Sequence, residues 1–292
     1  LGNFYEAEGE TVLAEFHYKK TLEQDPSNEE IIDRLANLLI DQDRMREANL
    51  VIEGFIVGDT LPQAYFLKAK IAAGNGEIES AKNLYDIAIE RSNNNYPEAF
   101  VNLAILNKEQ GNYSEALNNY KNAIGSRKGY SLAWYNLALI YTETDSIEKA
   151  IEAYNKAIQF NPGSFKSWYN LGQLNKRNGQ TDKEIAAYRA ALEINPEYTR
   201  ALLEMGNAYL KKEAYQKAIE AYEELLEVHP SYTKAWFNLG LAYSKTDNDQ
   251  ESRQAYERLL ELEPDHVSGR INLAIQYARS NKIELAISTL ED

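Results

Sequence analysis

Five asparagines, Asn102, Asn136, Asn170, Asn238 and Asn272, recur at one place in an internal period of the chain, and Glu204 occupies the remaining rung. Each directly precedes a Leu-Gly or Leu-Ala pair: Leu103-Ala104, Leu137-Ala138, Leu171-Gly172, Leu239-Gly240 and Leu273-Ala274. Asparagine is only a moderate helix former, so its recurrence inside helical segments needs a reason. A carboxamide both donates and accepts hydrogen bonds, and can pair with an extended backbone whatever its side chains. Such a backbone rises about 3.3 Å per residue, and neighbouring helices pack about 10 Å apart. One rung would then serve about every third residue of a bound peptide. The competing reading is that the amides only link adjacent helices.

Two further sets flank the ladder. Tyr135, Tyr169 and Phe237 each follow a tryptophan (Trp134, Trp168, Trp236), and are read either as partner contacts or as packing between neighbouring first helices. Lys166, Arg200 and Lys234 recur near the start of one helix of each unit, and Arg177, Lys211, Lys245 and Arg279 near its end. Cations at a helix C-terminus complement its dipole by about 0.3–1 kcal/mol each, which is a sufficient reason for the second set. Cations at an N-terminus oppose the dipole, so the first set is the better evidence for a groove that takes an acidic segment.

Other chemistry finds little support. The sequence has no phosphate-cradling glycine loop, no His-Glu-x-x-His and no nucleophile elbow. It has no cysteine, hence no disulfide frame and no thiol nucleophile. His17, His229 and His266 fall at different places in the period and are read as loop residues, and the many carboxylates as solvated helix faces. No catalytic residue, metal or cofactor is expected. The formal net charge of -14 argues against a nucleic-acid partner, since phosphates call for a basic footprint. No apolar run approaches the ~18 residues of a membrane span. A soluble protein is expected, cytoplasmic or periplasmic.

The period itself is set out by Pro162, Pro196, Pro230 and Pro264. Between them, Trp168, Leu171-Gly172, Tyr188 and Pro196 recur as Trp236, Leu239-Gly240, Tyr256 and Pro264, with Ala191 and Tyr243 as further marks of those units and Leu202, Gly206, Tyr209, Ala218 and Tyr222 in the unit between. Apolar residues fall at i, i+3, i+4 and i+7, the helical period, and a repeat near 34 residues marks a stacked array of helix pairs. Proline closes each second helix, Gly111 and Gly179 suit the turn inside a unit, and Ser114 and Asp182 are read as caps of second helices. Tyr120, Tyr154, Tyr188, Tyr222 and Tyr256 are predicted core on second helices; Tyr141, Tyr209, Tyr243 and Tyr277 are predicted core on first helices.

These spacings resemble the tetratricopeptide repeat family over essentially the whole chain. The resemblance implies an all-α solenoid of antiparallel helix pairs wound into a right-handed superhelix, with the first helices on its concave wall. Residues 1–28 read as an incomplete first repeat, 29–96 as two degenerate repeats, 97–266 as five well-formed repeats and 267–292 as an incomplete last one. The reading is a piece of a longer array, whose exposed ends make self-association an expectation. Phe55 stands where a small residue is expected, and three junctions are irregular: residues 57–62, Ser92 to Pro97, and Gly125 to Gly129. Changes of curvature are expected there. Acidity is densest in residues 1–96, with 9 basic against 18 acidic residues.

The ladder is similar to those in the repeat arm of protein O-GlcNAc transferases and in kinesin light chains, which implies peptide clamping by the five asparagines. The carboxylate clamp of chaperone-tail adaptors has as its nearest counterpart here Leu203, Asn207, Asn238, Ser268 and Asn272, of which only the two central asparagines match, and that clamp is expected to be absent. The function expected is a non-enzymatic scaffold that binds extended or helical peptide segments along the concave face of residues 97–292. The alternatives are a substrate-recruiting arm of a larger enzyme such as a glycosyltransferase, a scaffold of envelope assembly or secretion, and a spacer that binds nothing.

Overall fold

The computed structural model describes residues 1–26, 28–53 and 61–291. Phe55, residues 57–60 of the first irregular junction, and Asp292 lie outside them. Among the described residues every regular element is an α-helix. The chain forms two compact units, Leu1–Ile140 and Tyr141–Asp292. The first holds α1 (Gly2–Ala7), α2 (Thr11–Gln24), α3 (Glu29–Asp41), α4 (Met45–Glu53), α5 (Pro62–Gly74), α6 (Ile78–Arg91), α7 (Pro97–Glu109) and α8 (Tyr113–Ser126). The division falls within α9 (Ser131–Glu143). The second holds α10 (Ile147–Phe160), α11 (Phe165–Arg177), α12 (Thr181–Ile194), α13 (Thr199–Lys211), α14 (Tyr215–Val228), α15 (Thr233–Ser244), α16 (Asp249–Leu262), α17 (Val267–Arg279) and α18 (Ile283–Glu291). Within each unit consecutive helices pack as antiparallel pairs, such as α7 with α8 and α13 with α14.

The turn inside each pair has one solution throughout. Gly9, Asp43, Gly76, Gly111, Asp145, Gly179, Glu213, Asp247 and Asn281 all adopt left-handed backbone, with φ between 56° and 79°. The amide of Gly179 reaches Lys176 O at 3.1 Å and that of Gln180 reaches Asn175 O at 2.9 Å. This double closure satisfies the last carbonyls of the first helix. The second helix starts at once, at Tyr113 and Thr181, with Asn112 and Gln180 as N-caps that make no side-chain cap bond. Ser114 and Asp182 are therefore not caps. They lie inside the first turn, where the Asp182 carboxylate complements the helix dipole.

Between the two helices of a repeat, a tyrosine ring presses close against a small residue of the first helix. Tyr18, Tyr85, Tyr120, Tyr154, Tyr188, Tyr222 and Tyr256 are all fully buried, as predicted for the five of them that the sequence singles out. A Cβ on Gly172, Gly206 or Gly240 would stand 2.4, 2.5 or 2.8 Å from Cε1 of Tyr188, Tyr222 or Tyr256. The repeats are joined by another recurring bond. The indole N–H of Trp134, Trp168 and Trp236 donates to the carbonyl six residues back, that of Lys128, Pro162 and Pro230, at 3.0, 3.2 and 2.8 Å. Arg270 takes the same role toward Pro264 O at 2.7 Å.

The second tyrosine set departs from the sequence expectation. Tyr209 is buried, but Tyr141, Tyr243 and Tyr277 are only half-buried. The hydroxyls of Tyr243 and Tyr277 donate to Glu223 and Glu257 on the preceding second helix, the latter at 2.7 Å. Arg189 donates to Tyr209 Oη at 2.7 Å. These rings stand where the core opens into the groove between successive second helices, and their polar tips find partners there.

Candidate functional site

The ladder asparagines sit mid-way along first helices and are all half-buried. In the first unit, Asn102 Nδ2 donates to Glu98 O at 2.9 Å and Asn136 Nδ2 to Leu132 O at 3.0 Å. Both amides turn back onto their own helix, the usual local option for a mid-helix polar side chain. In the second unit the amides reach outward. Asn238 Nδ2 donates to Asn207 Oδ1 at 2.9 Å, and Tyr222 Oη donates to the same Oδ1 at 2.8 Å. Asn272 Nδ2 donates to Tyr256 Oη at 3.3 Å. Asn170 lies at the equivalent place on α11. At the remaining rung, Glu204 accepts from Lys176 Nζ at 2.6 Å, so an ion pair between α11 and α13 replaces the amide.

Asn207 stands three places after the rung and was not singled out by the ladder pattern. It joins three helices: its own α13, α14 through Tyr222, and α15 through Asn238. A small pocket of about 220 Å3 opens beside it, lined by Leu203, Asn207, Lys234, Phe237, Asn238 and His266. The internal bonds use Asn207 Oδ1 and one N–H of Asn238. The amide nitrogen of Asn207 and the carbonyl oxygen of Asn238 stay outside this network, one a donor and the other an acceptor. His266 caps α17 by accepting from Gly269 N at its Nδ1, 2.9 Å, which leaves Nε2 as its N–H. The pocket thus offers mostly donors.

The aromatic residues of the site are wedged between repeats. Tyr169 packs against Tyr188 at 5.7 Å and edge-on against Tyr198 at 5.1 Å; desolvation by burial raises its phenol pKa. Phe237 packs against Tyr256 at 6.1 Å and His266 at 5.2 Å. Tyr135 is half-buried on α9. Beneath them, burial pushes up the pKa of the Tyr222 phenol and takes that of Tyr256 to about 12.

The two cation sets part company. Lys166, Arg200 and Lys234 each occupy the second position of a first helix, are exposed, and make no hydrogen bond or ion pair among the described residues. At the other end, Arg177 pairs with Asp145 at 2.6 Å, and Arg279 with Asp247 at 3.2 Å and Asp249 at 3.4 Å. Asp145 and Asp247 are left-handed turn residues, so these arginines tie one repeat to the turn of the repeat before it. Lys211 and Lys245 are exposed at the ends of α13 and α15. Among the described residues no cluster of three or more metal-binding side chains occurs, and no helix is long and apolar enough to cross a membrane.

Three family models match the chain: one described as tetratricopeptide repeat over residues 203–267, one as TPR repeat over 138–179, and one as tetratricopeptide repeat over 165–198. No curated protein matches its sequence. Among solved structures, the C-terminal part of a TPR repeat-containing protein from Cytophaga hutchinsonii is similar at a TM-score of 0.67 and 18% identity, over 82% of this chain and 99% of that one. YrrB, a TPR protein with an unusual peptide-binding site, is similar at 0.56 and 19% identity, over 68% and 97%. MamA is similar at 0.53 and 24% identity, over 57% and 92%. With the helix pairs, the glycine–tyrosine contacts and the 34-residue register in place, residues 138–198 and 203–267 are tetratricopeptide repeats, and the chain has the fold of such arrays.

Proposed function

We propose that this protein is a non-enzymatic interaction scaffold whose second unit holds a peptide segment of a partner protein along α11, α13, α15 and α17. The observation that carries the reading is the Asn207–Asn238 pair. Its internal bonds leave a donor and an acceptor beside a 220 Å3 pocket, which is what one peptide unit of an extended chain requires. Lys166, Arg200 and Lys234, unpaired and set against the helix dipole, favour a segment that carries carboxylates. The likeness in fold to YrrB, a protein with a peptide-binding site, supports the same reading. Exposed apolar residues on α1–α2 (Leu1, Phe4, Val12, Phe16) and on α17–α18 (Ile271, Ile275, Ile287, Leu290) would let isolated chains associate end to end.

The test is selection of binders from a random peptide library, on the wild-type protein and on Lys234→Glu/Asn238→Ala. The expected result is a set of acidic peptides that the variant fails to hold while its circular dichroism matches the wild type. Equal recovery on both proteins would place the ligand elsewhere.

A further inference from the structure

A second pocket in the same unit points to a ligand of opposite charge, independently of the reading above. It lies between the second helices α14 and α16, over α15, and has a volume of about 520 Å3. Glu223 and Glu227 form one wall, Glu251 and Gln254 the other, and Trp236 and Tyr243 the floor, with no lysine, arginine or histidine in the lining. It shares no lining residue with the Asn207–Asn238 pocket.

Carboxylates alone would be a solvated face. The neighbouring repeats show what this groove is shaped to hold. One repeat earlier, the corresponding groove of about 430 Å3 is lined by Arg189, Tyr209 and Lys217 together with Glu193, Glu220 and Glu224. There Lys217 Nζ stands 5.8 Å over the Tyr209 ring, and Arg189 donates to Tyr209 Oη at 2.7 Å. Another Lys149 Nζ stands 5.8 Å over the Tyr141 ring. The chain thus places its own ammonium over this tyrosine in two repeats, within the reach of a cation–π contact.

In the repeat of Tyr243 both cations are replaced. Glu223 stands 34 residues after Arg189, and Glu251 stands 34 residues after Lys217. Glu223, Glu227 and Glu251 form no ion pair among the described residues, while Arg258, on the helix of Glu251, is paired with Glu261 at 2.6 Å. The result is an aromatic floor without its resident cation, ringed by three carboxylates that no cation of the chain answers, of which Glu223 accepts the Tyr243 hydroxyl.

We propose that this groove takes a lysine or arginine side chain from a basic segment of a partner protein. The aliphatic stem would lie against Trp236 and Leu226, and the charged head over Tyr243 between Glu223 and Glu251. Trp236 lines the groove with its N–H held by Pro230 O.

The experiment uses the full chain and hexalysine as probe, followed by the indole 15N–1H signal of Trp236, which Trp236→Phe assigns. Two variants test the carboxylates: Glu223→Arg/Glu251→Lys, which restores the two cations of the earlier groove, and the milder Glu223→Gln/Glu251→Gln. Glu8→Lys/Glu10→Arg, on exposed residues of the first unit, makes the same change in net charge as the first variant. The expected result is a saturable shift of the Trp236 signal. Its midpoint should rise at least tenfold in both groove variants and less than threefold in the first-unit variant. No shift at Trp236, or an equal loss in the first-unit variant, would overturn the proposal in favour of diffuse attraction to an acidic surface.

Discussion

Asn238 Nδ2 donates to Asn207 Oδ1 at 2.9 Å, joining the first helix of one repeat to the first helix of the next, and the same oxygen accepts from the buried Tyr222 hydroxyl. The two asparagines are therefore not equivalent. Removing Asn207 leaves a phenol buried without a partner, and an unmet buried polar group costs about 1–3 kcal/mol. Removing Asn238 leaves Tyr222 bonded. Urea unfolding should show Asn207→Ala destabilised by about 1–3 kcal/mol and Asn238→Ala by under about 1 kcal/mol. Equal losses would mean that the shared oxygen does not organise the pair.

Gly206 faces the Tyr222 ring so closely that a Cβ would lie 2.5 Å from Cε1. Tyr222 is fully buried and has no room to retreat. Gly206→Ala is expected to destabilise by about 1–3 kcal/mol, the usual cost of overpacking, despite the better helix propensity of alanine. Thermal melts of Gly206→Ala, with and without Tyr222→Leu, would check this. The tyrosine change should cancel part of the glycine effect, since residues in contact do not act additively.

Glu213 holds a left-handed turn position, φ 58°, that glycine or an Asx residue fills in the other described repeats. Left-handed backbone costs an ordinary L-residue roughly 1–2 kcal/mol, and glycine returns part of this through a freer unfolded chain. Glu213→Gly should stabilise by about 0.5 kcal/mol. Asp247→Gly should not, because Asp247 also pairs with Arg279. Paired denaturant titrations would separate the two cases.

Glu184 is 2% exposed and its Oε2 has no hydrogen-bond partner. The corresponding residues include Ala116, Ala150 and Ala218. Desolvation raises its pKa, partly offset by the charges of Lys176 and Lys211 and reinforced by Glu204. A carboxyl whose folded pKa lies above its unfolded value penalises folding when ionised. Stability should rise as pH falls from above the folded pKa toward the ordinary carboxylate value. Glu15 has the opposite sign: its bonds to Arg44 hold its pKa at about 2, so its contribution is present above the ordinary value and is lost as pH falls toward 2. Glu184→Gln should raise the melting temperature at pH 8 and by less at pH 5, whereas Glu15→Gln should lower it at pH 8 and by less at pH 3.

The helix pairs were legible because Trp168, Gly172, Tyr188 and Pro196 each satisfy a steric demand of the packing, and such demands repeat with the register. The site was legible only in part. The sequence shows where Asn238 sits on its helix, but the choice of its amide between solvent, its own helix and Asn207 depends on helix spacing. Asn207 was visible only as half of an unmatched clamp, because no equivalent asparagine marks the neighbouring repeats of this unit, where Gln173 and Leu241 stand. Arg177 and Arg279 fall on a helix end, a position that two physical reasons explain equally well. The ion pairs with Asp145 and Asp247 add a third reason, which needs the turn conformation to be seen.

The central claim is that a peptide lies on the first helices of the second unit, at the Asn207–Asn238 pocket. Its most direct test is 15N–1H mapping of side-chain amides as a selected acidic peptide is added. The account predicts saturable shifts at Asn207 and Asn238, extending to Asn170 and Asn272, that weaken as salt screens Lys166, Arg200 and Lys234. Saturable binding with those four amides unmoved would contradict it.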